Sequence, residues 1–380
     1  MKRHSGQASR LAQRGRPGVD WIGRYELVEL LGVGGMAEVF KARTTGPSGF
    51  ERTVVIKRIL PDYCHDPEFV GMFVAEARIL GLLHHANVIQ VYDFGEADGA
   101  LFLVLEFVDG LPLGRVMSRL CAAKRSIPPA IAAYFAHEIC RALDYVHTLR
   151  DADGALLNVI HRDVTPSNIL LTSTGGLKLL DFGVAKYGNS KVRTRHRRVK
   201  GKPAYLAPEA LEGKTIDARV DIFALGVVLH ELLTLKNLFA GDDDLIRIRK
   251  VLTMPIEPPS RSRPDVSPAL DAIVMKALSR DPGTRYASAS EMGHDLNEIV
   301  LSSRLRTDEI VRFAREITGG RSVSSAAPRS PSLLSTEDRT VELSTPCSRP
   351  HPADQLRGPG ALSRFRGSRF GRWLFGQHPE

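Results

Sequence analysis

The chain has 380 residues, 43% of them hydrophobic and 25% charged, an ordinary globular composition with enough length for two or three domain-sized cores. No run nears the roughly 20 apolar residues that cross a bilayer, and the basic residues 1–20 lack the apolar centre of a secretory signal, so neither a membrane span nor such a leader is expected. Cys64, Cys121, Cys140 and Cys347 show no paired spacing, which argues against a disulfide frame or zinc site and for a reducing, cytoplasmic setting; the net charge of +9 gathers in flexible-looking segments rather than along a folded face, so nucleic acid is not expected as a partner.

Residues 1–20 read as a disordered basic N-terminus. Short β runs follow at 25–31, 39–43 and 53–58. Residues 68–84 read as an amphipathic helix, because Phe69, Phe73, Glu76, Leu80 and Leu83 recur at steps of four and three and share one face. Glu76 is the one acid in that stripe. A carboxylate buried there needs a cation, and Lys57, at the end of the apolar run 53–57, is a candidate. A glutamate in such a stripe often snorkels to water instead, and the helix alone leaves both readings open.

Further apolar runs lie at 88–94 and 101–107, and Gly110, Pro112 and Gly114 then punctuate the chain. Beyond them helical patterns dominate, at 129–150, 221–235, 268–279 and 288–303. The organisation expected is a β-rich lobe at 21–106, an α-rich lobe at 107–302, a terminal helix at 303–318 and a disordered Ser/Pro/Arg-rich tail at 319–380. Near its end the tail interleaves arginines with Phe365, Phe370, Trp373 and Phe375, the pattern of a docking element or of a free basic tail.

Four motifs carry chemistry. Leu31-Gly32-Val33-Gly34-Gly35 lies between two predicted strands, where glycines let backbone N–H groups close over phosphates. A strand at 39–43 follows it, whereas a dinucleotide-binding turn leads into a helix. His161-Arg162-Asp163-Val164-Thr165-Pro166-Ser167-Asn168 spaces an Asp five residues before an Asn, the arrangement in which Asp163 orients and deprotonates an attacking hydroxyl and Asn168 binds a metal ion. Asp181, in Asp181-Phe182-Gly183, ends an apolar strand 18 residues after Asp163 and is placed to chelate Mg²⁺ on phosphates. Ala207-Pro208-Glu209 is followed by Asp221 and Arg285. A buried Glu209 would find its bidentate partner in Arg285, and Asp221 would either cap its helix or hold the catalytic loop.

Together these residues resemble the eukaryotic-like protein kinase family of the bacterial serine/threonine type, over roughly residues 25–300. The resemblance implies an α+β bilobal fold with one key helix in the β-rich N-lobe. It implies transfer of the γ-phosphoryl of ATP, with Mg²⁺, to Ser and Thr hydroxyls of proteins, with regulation by autophosphorylation and self-association for transfer between copies. Leu31, Gly32, Val33, Gly34, Gly35 and Val39 would cover ATP, with Val55 beneath adenine and Leu170 under the ring. Lys57 would hold the α/β-phosphates and pair with Glu76. Glu106 to Val108 would form the hinge, with Leu105 as gatekeeper. Asp163 would be the catalytic base, Asn168 and Asp181 would bind Mg²⁺, and His161, Phe182 and Leu80 would stack into a spine. A pseudokinase or scaffold acting through the tail is the alternative. The Ala207-Pro208-Glu209 segment argues against a small-molecule kinase, and the lack of a Trp before it argues against tyrosine specificity.

The chain departs from the family pattern at several places. The family's Lys two residues after the catalytic Asp is Thr165 here, and the Thr of the Gly-Thr pair before Ala-Pro-Glu is Lys202. One reading is a compensating exchange, with Lys202 giving its ammonium to the γ-phosphate and Thr165 its hydroxyl to Asp163; lost activity is the other. Val55 replaces the usual Ala and narrows the adenine pocket, and residues 149–157 form an insertion expected as a surface turn. The segment 184–206 is strongly basic, and phosphate on Thr194 or Ser190 would order it by pairing with arginines, Arg162 included. The same basic surface would attract acidic substrates, and Ser167, in place of a Glu common in arginine-directed relatives, agrees with that.

Overall fold

The computed structural model describes residues 20–182 and 202–319. Thr194, Ser190, the basic run between them and the tail therefore lie outside the described residues. The N-terminal part is a six-stranded antiparallel sheet in the order β1-β2-β3-β4-β6-β5. Its strands are β1 (Trp21–Ile22), β2 (Tyr25–Val33), β3 (Ala37–Thr45), β4 (Glu51–Ile59), β5 (Val91–Ala97) and β6 (Ala100–Glu106).

Strand alternation gives this sheet two different faces. Val54 and Ile56 of β4 point to a small cluster with Ile22, Tyr25, Ala42, Phe102 and Val104. Ile59 of β4, with Leu103 and Leu105 of β6, joins the main core on the other face. Lys57 has the parity of Ile59, so its side chain is carried to the core face as a buried cation.

Helix α1 (Pro67–Leu82) covers that core face. Asp66 caps it by accepting from Glu68 N, and Pro67 fills its first turn, where a missing N–H costs nothing. Phe73, Glu76, Ala77, Leu80 and Leu83 are buried, while Phe69 is half-buried against the Tyr63 ring, 4.3 Å away.

The rest is helical around a second, three-stranded sheet of β7 (Gly110–Pro112), β8 (Ile169–Thr172) and β9 (Leu177–Leu179). The helices are α2 (Leu113–Ala122), α3 (Pro129–His147), α4 (Pro208–Leu211), α5 (Arg219–Thr234), α6 (Asp244–Thr253), α7 (Pro268–Ala277), α8 (Ala289–Ser302) and α9 (Thr307–Thr318). Helix α5 is buried all round from Val220 to Leu233, so its polar residues Asp221, His230 and Glu231 are buried with it. Gly110 lets β7 approach β8, since a Cβ there would lie 2.6 Å from the Leu171 carbonyl oxygen.

Several boundaries differ from expectation. The run 88–94 does not form one strand: Val88 bridges Leu179, Ile89 N donates to Leu179 O, and β5 begins only at Val91. Those bonds tie the N-lobe to β9. Helix α2, which buries Leu113, Val116 and Leu120 on one face, follows directly on residues read as punctuation, and α6 buries only Val251. The insertion is a surface turn in which Arg150 bridges Leu156 and Asp151 Oδ1 accepts from Asp153 N and Ala155 N.

Candidate active site

The glycine-rich turn joins β2 to β3. Gly34 N donates to Ala37 O at 2.7 Å and closes the turn. None of Gly32, Gly34 and Gly35 has positive φ, and a Cβ on Gly32 or Gly35 would meet nothing within 4 Å. These glycines therefore leave room beneath the strand rather than satisfy a special backbone angle. Leu31 and Val33 are exposed. Register then aligns the cleft side chains: Gly32 pairs with Val39, Val39 with Lys57, Lys57 with Leu103, and Val55 with Leu105. Leu170 lies on β8, opposite Pro112 and Lys178.

After β6 the chain crosses between lobes. Glu106 anchors this crossing: its carboxylate accepts from Gln90 N at 3.2 Å and pairs with Lys178 Nζ at 2.6 Å. Lys41 lies over the Phe107 ring, 4.6 Å from its centroid, and Val108 is half-buried beside them. Lys178 and Gln90 were not foreseen, although a lysine inside the apolar run 177–180 was a signal that it had a partner.

Lys57 Nζ donates to Glu76 Oε1 at 2.7 Å and to Asp181 Oδ1 at 2.9 Å. Glu76 is 1% exposed, so its charge persists only through this pairing. Burial opposes the Lys57 charge, but Asp181 and Glu76 outweigh it and hold the ammonium above its usual range. Burial pushes the Glu76 carboxyl upward against the pull of Lys57. The snorkelling reading is excluded for Glu76.

The catalytic loop hangs from α5. Asp221 accepts from His161 N, Arg162 N and His147 Nε2, each at 2.8 Å. Burial pushes its carboxyl up, yet the His147 hydrogen bond and charge, with His161 and the Arg162 N–H, hold it below its usual value. Asp221 therefore anchors the loop rather than caps its helix. His161 accepts from Asp163 N through Nδ1 and donates from Nε2 to Leu180 O at 2.8 Å, which fixes a neutral tautomer. Burial lowers its pKa, in agreement. Its ring lies 4.5 Å from that of Phe182, and Leu80 and Phe182 share one buried cluster.

Asn168 Nδ2 donates to Asp163 Oδ2 at 2.8 Å and to Asp163 O at 3.0 Å, so the amide presents Oδ1 away from the aspartate. Leu180 N donates to Asn168 O, which places Asn168 beside the residue before Asp181. An amide oxygen and the half-exposed carboxylate of Asp181 are hard oxygen donors. No group of three or more His, Cys, Asp or Glu that would hold a metal occurs among the described residues. Two protein oxygens that leave positions for water and phosphate suit Mg²⁺, so the residues fit that ion.

The Thr165 hydroxyl does not take the expected partner. It bonds Ser167 Oγ at 2.9 Å, across a turn closed by Asn168 N and Thr165 O, while the Asn168 amide occupies Asp163. Lys202 Nζ donates to the same Ser167 Oγ at 2.7 Å. Downstream, Arg285 forks onto Glu209 at 2.6 and 2.7 Å, both groups buried. Tyr205 OH donates to Glu231 at 2.8 Å, and burial, opposed by that bond, pushes the Glu231 carboxyl up to about 7. His147, Ser167 and Glu231 were missed as members of this network.

A glycine turn over a buried lysine–glutamate pair, above a loop that aligns Asp163, Asn168 and Asp181, is the arrangement of a phosphotransferase of the protein kinase fold. The family model described as the protein kinase domain matches residues 25–315, and the chain belongs to that family. It is 42% identical over 284 residues to the tyrosine-protein kinase MasK of Myxococcus xanthus, covering 74% of this chain and 44% of that protein. It is 35% identical over 369 residues to the serine/threonine-protein kinase PknB of Mycolicibacterium smegmatis, covering 92% of this chain and 52% of that one. The chain thus spans about half the length of the curated relatives it matches. Among solved structures, the PknI kinase domain of Mycobacterium tuberculosis superposes with a TM-score of 0.56 at 27% identity, over 75% of this chain and 99% of that one. No described helix is long and apolar enough to cross a membrane.

Proposed function

We propose that the chain is an active protein serine/threonine kinase that transfers the γ-phosphoryl of ATP to Ser and Thr hydroxyls of proteins. The observation that carries this reading is the bridge from Lys57 to both Glu76 and Asp181, which joins the helix, the sheet and the metal-side aspartate in one charged chain. Lys57 binds the α/β-phosphates, the glycine turn covers them, and Val55, Leu105, Val108 and Leu170 enclose adenine. Asp163, held by Asn168 Nδ2, orients the acceptor hydroxyl and takes its proton as the bond from that oxygen to the γ-phosphorus forms and the bond from the γ-phosphorus to the bridging oxygen breaks, releasing ADP. Asn168 and Asp181 hold Mg²⁺, which when bound neutralises charge on the phosphates. An open groove of about 600 Å³, lined by Gly114, Met117, Ser167, Lys202 and Glu231, runs up to the catalytic loop and supports a polypeptide substrate.

Autophosphorylation on Thr194 or Ser190, between self-associated copies, is part of the same proposal, and the free thiols of Cys64, Cys121 and Cys140 support a cytoplasmic location. The test is incubation with γ-labelled ATP and Mg²⁺ beside an Asp163→Asn control, followed by phosphoamino-acid analysis and mapping. Label on Ser or Thr that vanishes in the control is expected. Label on Tyr would favour a MasK-like specificity, and no label with ATP still bound would favour a pseudokinase. Active protein without phosphate between residues 184 and 206 would remove the autoregulatory part.

A further inference from the structure

Transfer spreads negative charge over the oxygens of the moving phosphoryl group, so a cation aimed at them stabilises the transition state. Lys57 is already committed to two carboxylates. Thr165, two residues after Asp163, is buried and uncharged. Lys202 is the contrasting group. Its side chain is exposed, and among the described residues its ammonium makes one hydrogen bond, to Ser167 Oγ, and no ion pair.

Ser167 makes that contact specific. Its Oγ accepts from Lys202 at 2.7 Å, bonds Thr165 at 2.9 Å and donates toward Asn168 Oδ1 at 3.4 Å. A hydroxyl has one hydrogen and two lone pairs, so Thr165 is the donor to Ser167 and the capacity of Ser167 is filled. The chain of contacts continues from Asn168 Nδ2 to Asp163 Oδ2. An ammonium that makes no ion pair among the described residues, although its charge is felt by the Glu231 carboxylate, is thereby linked, through two side chains, to the group that takes the acceptor proton.

Building on the kinase reading, we infer that Lys202 is a catalytic residue whose ammonium meets the γ-phosphate of bound ATP. Ser167 and Thr165 are positioning residues that aim it. The cation of the transfer step thus comes from the segment before Ala207-Pro208-Glu209 and not from the catalytic loop.

Two measurements on the full chain test this. In the first, an amine-reactive acylating reagent labels the wild-type protein with Mg²⁺ and either ADP or a non-hydrolysable ATP analogue, and labelling at Lys202 is read by mass spectrometry. Protection by the triphosphate and not by the diphosphate is expected; equal labelling overturns the inference. The second is kinetic. Lys202→Met is expected to lower kcat about 100-fold or more with little change in the KM for ATP. Ser167→Ala is expected to lower kcat without raising that KM, and Ser167→Thr to restore it. A Lys202→Met enzyme within about twofold of wild-type kcat overturns the assignment. Failure of the wild-type protein to transfer phosphate would count against the kinase reading itself, while the labelling pattern still decides whether Lys202 reaches the third phosphate.

Discussion

The carboxylate of Asp221 holds the backbone of Arg162, whose N–H lies 2.8 Å from Oδ1. Arg162 has a φ of +64°, a left-handed conformation that is costly for a side-chain-bearing residue and persists only when its surroundings impose it. The bond thus stores local strain one residue before Asp163. Asp221→Asn keeps the volume but turns one acceptor into a donor facing an N–H group. The expected loss is about 1–3 kcal/mol of stability in urea unfolding, with a larger proportional fall in kcat than in ATP affinity.

Lys57 and Glu76 should show the asymmetry of a buried ion pair. Lys57→Met leaves a buried carboxylate without its cation and should cost about 3–5 kcal/mol. Lys57→Met with Glu76→Leu removes both charges and should recover much of that stability while remaining unable to transfer phosphate. Urea midpoints of the two variants decide: a double variant less stable than the single one would mean that packing, and not the orphaned charge, dominates.

Glu231 gives stability a pH dependence of calculable sign. Its folded pKa of about 7 lies above the ordinary 4.5, so the folded protein keeps a proton there that the unfolded chain releases. The contribution is fully present below about pH 4.5 and is lost as pH rises through about 7. Glu231→Gln keeps one oxygen as the acceptor for Leu238 N, and its amide nitrogen can donate to the Tyr205 hydroxyl oxygen, which turns its own hydrogen away. It should therefore gain stability relative to wild type between about pH 5 and pH 8, as read by denaturant midpoints at both ends.

Val55 faces Leu105 in register, is proposed to border adenine, and carries two methyls beyond an alanine. Because Val55 is only half-buried, Val55→Ala should cost little stability. It should tighten ATP binding by a few-fold, measurable by calorimetry; weaker binding would show that Val55 is a contact and not an obstruction.

Much of the site was legible because buried charge constrains sequence tightly. A glutamate inside the apolar stripe of α1 called for a cation, and Lys57 supplied it. The same logic joined Glu209 to Arg285. What was not legible came from tertiary proximity without a local pattern. His147 is merely the last residue of α3 until folding brings it to Asp221, 74 positions away. Ser167 reads as a loop serine, yet it gathers Thr165, Lys202 and Asn168. Helices α2 and α6 were missed because flanking glycines and prolines masked the first and the second buries a single residue. The strand at 88–94 was misplaced because Val88 and Ile89 pair with β9 of the other lobe, a contact that no spacing encodes.

The most direct test of the central claim compares wild-type protein with Asp163→Asn in two assays on the same samples: calorimetric binding of ATP with Mg²⁺, and transfer from γ-labelled ATP to protein Ser and Thr. The account predicts similar ATP affinity in both and transfer only in the wild type, with a loss of about 100-fold or more in the variant. Transfer by Asp163→Asn at the wild-type rate would contradict it, because the acceptor proton would then have another destination.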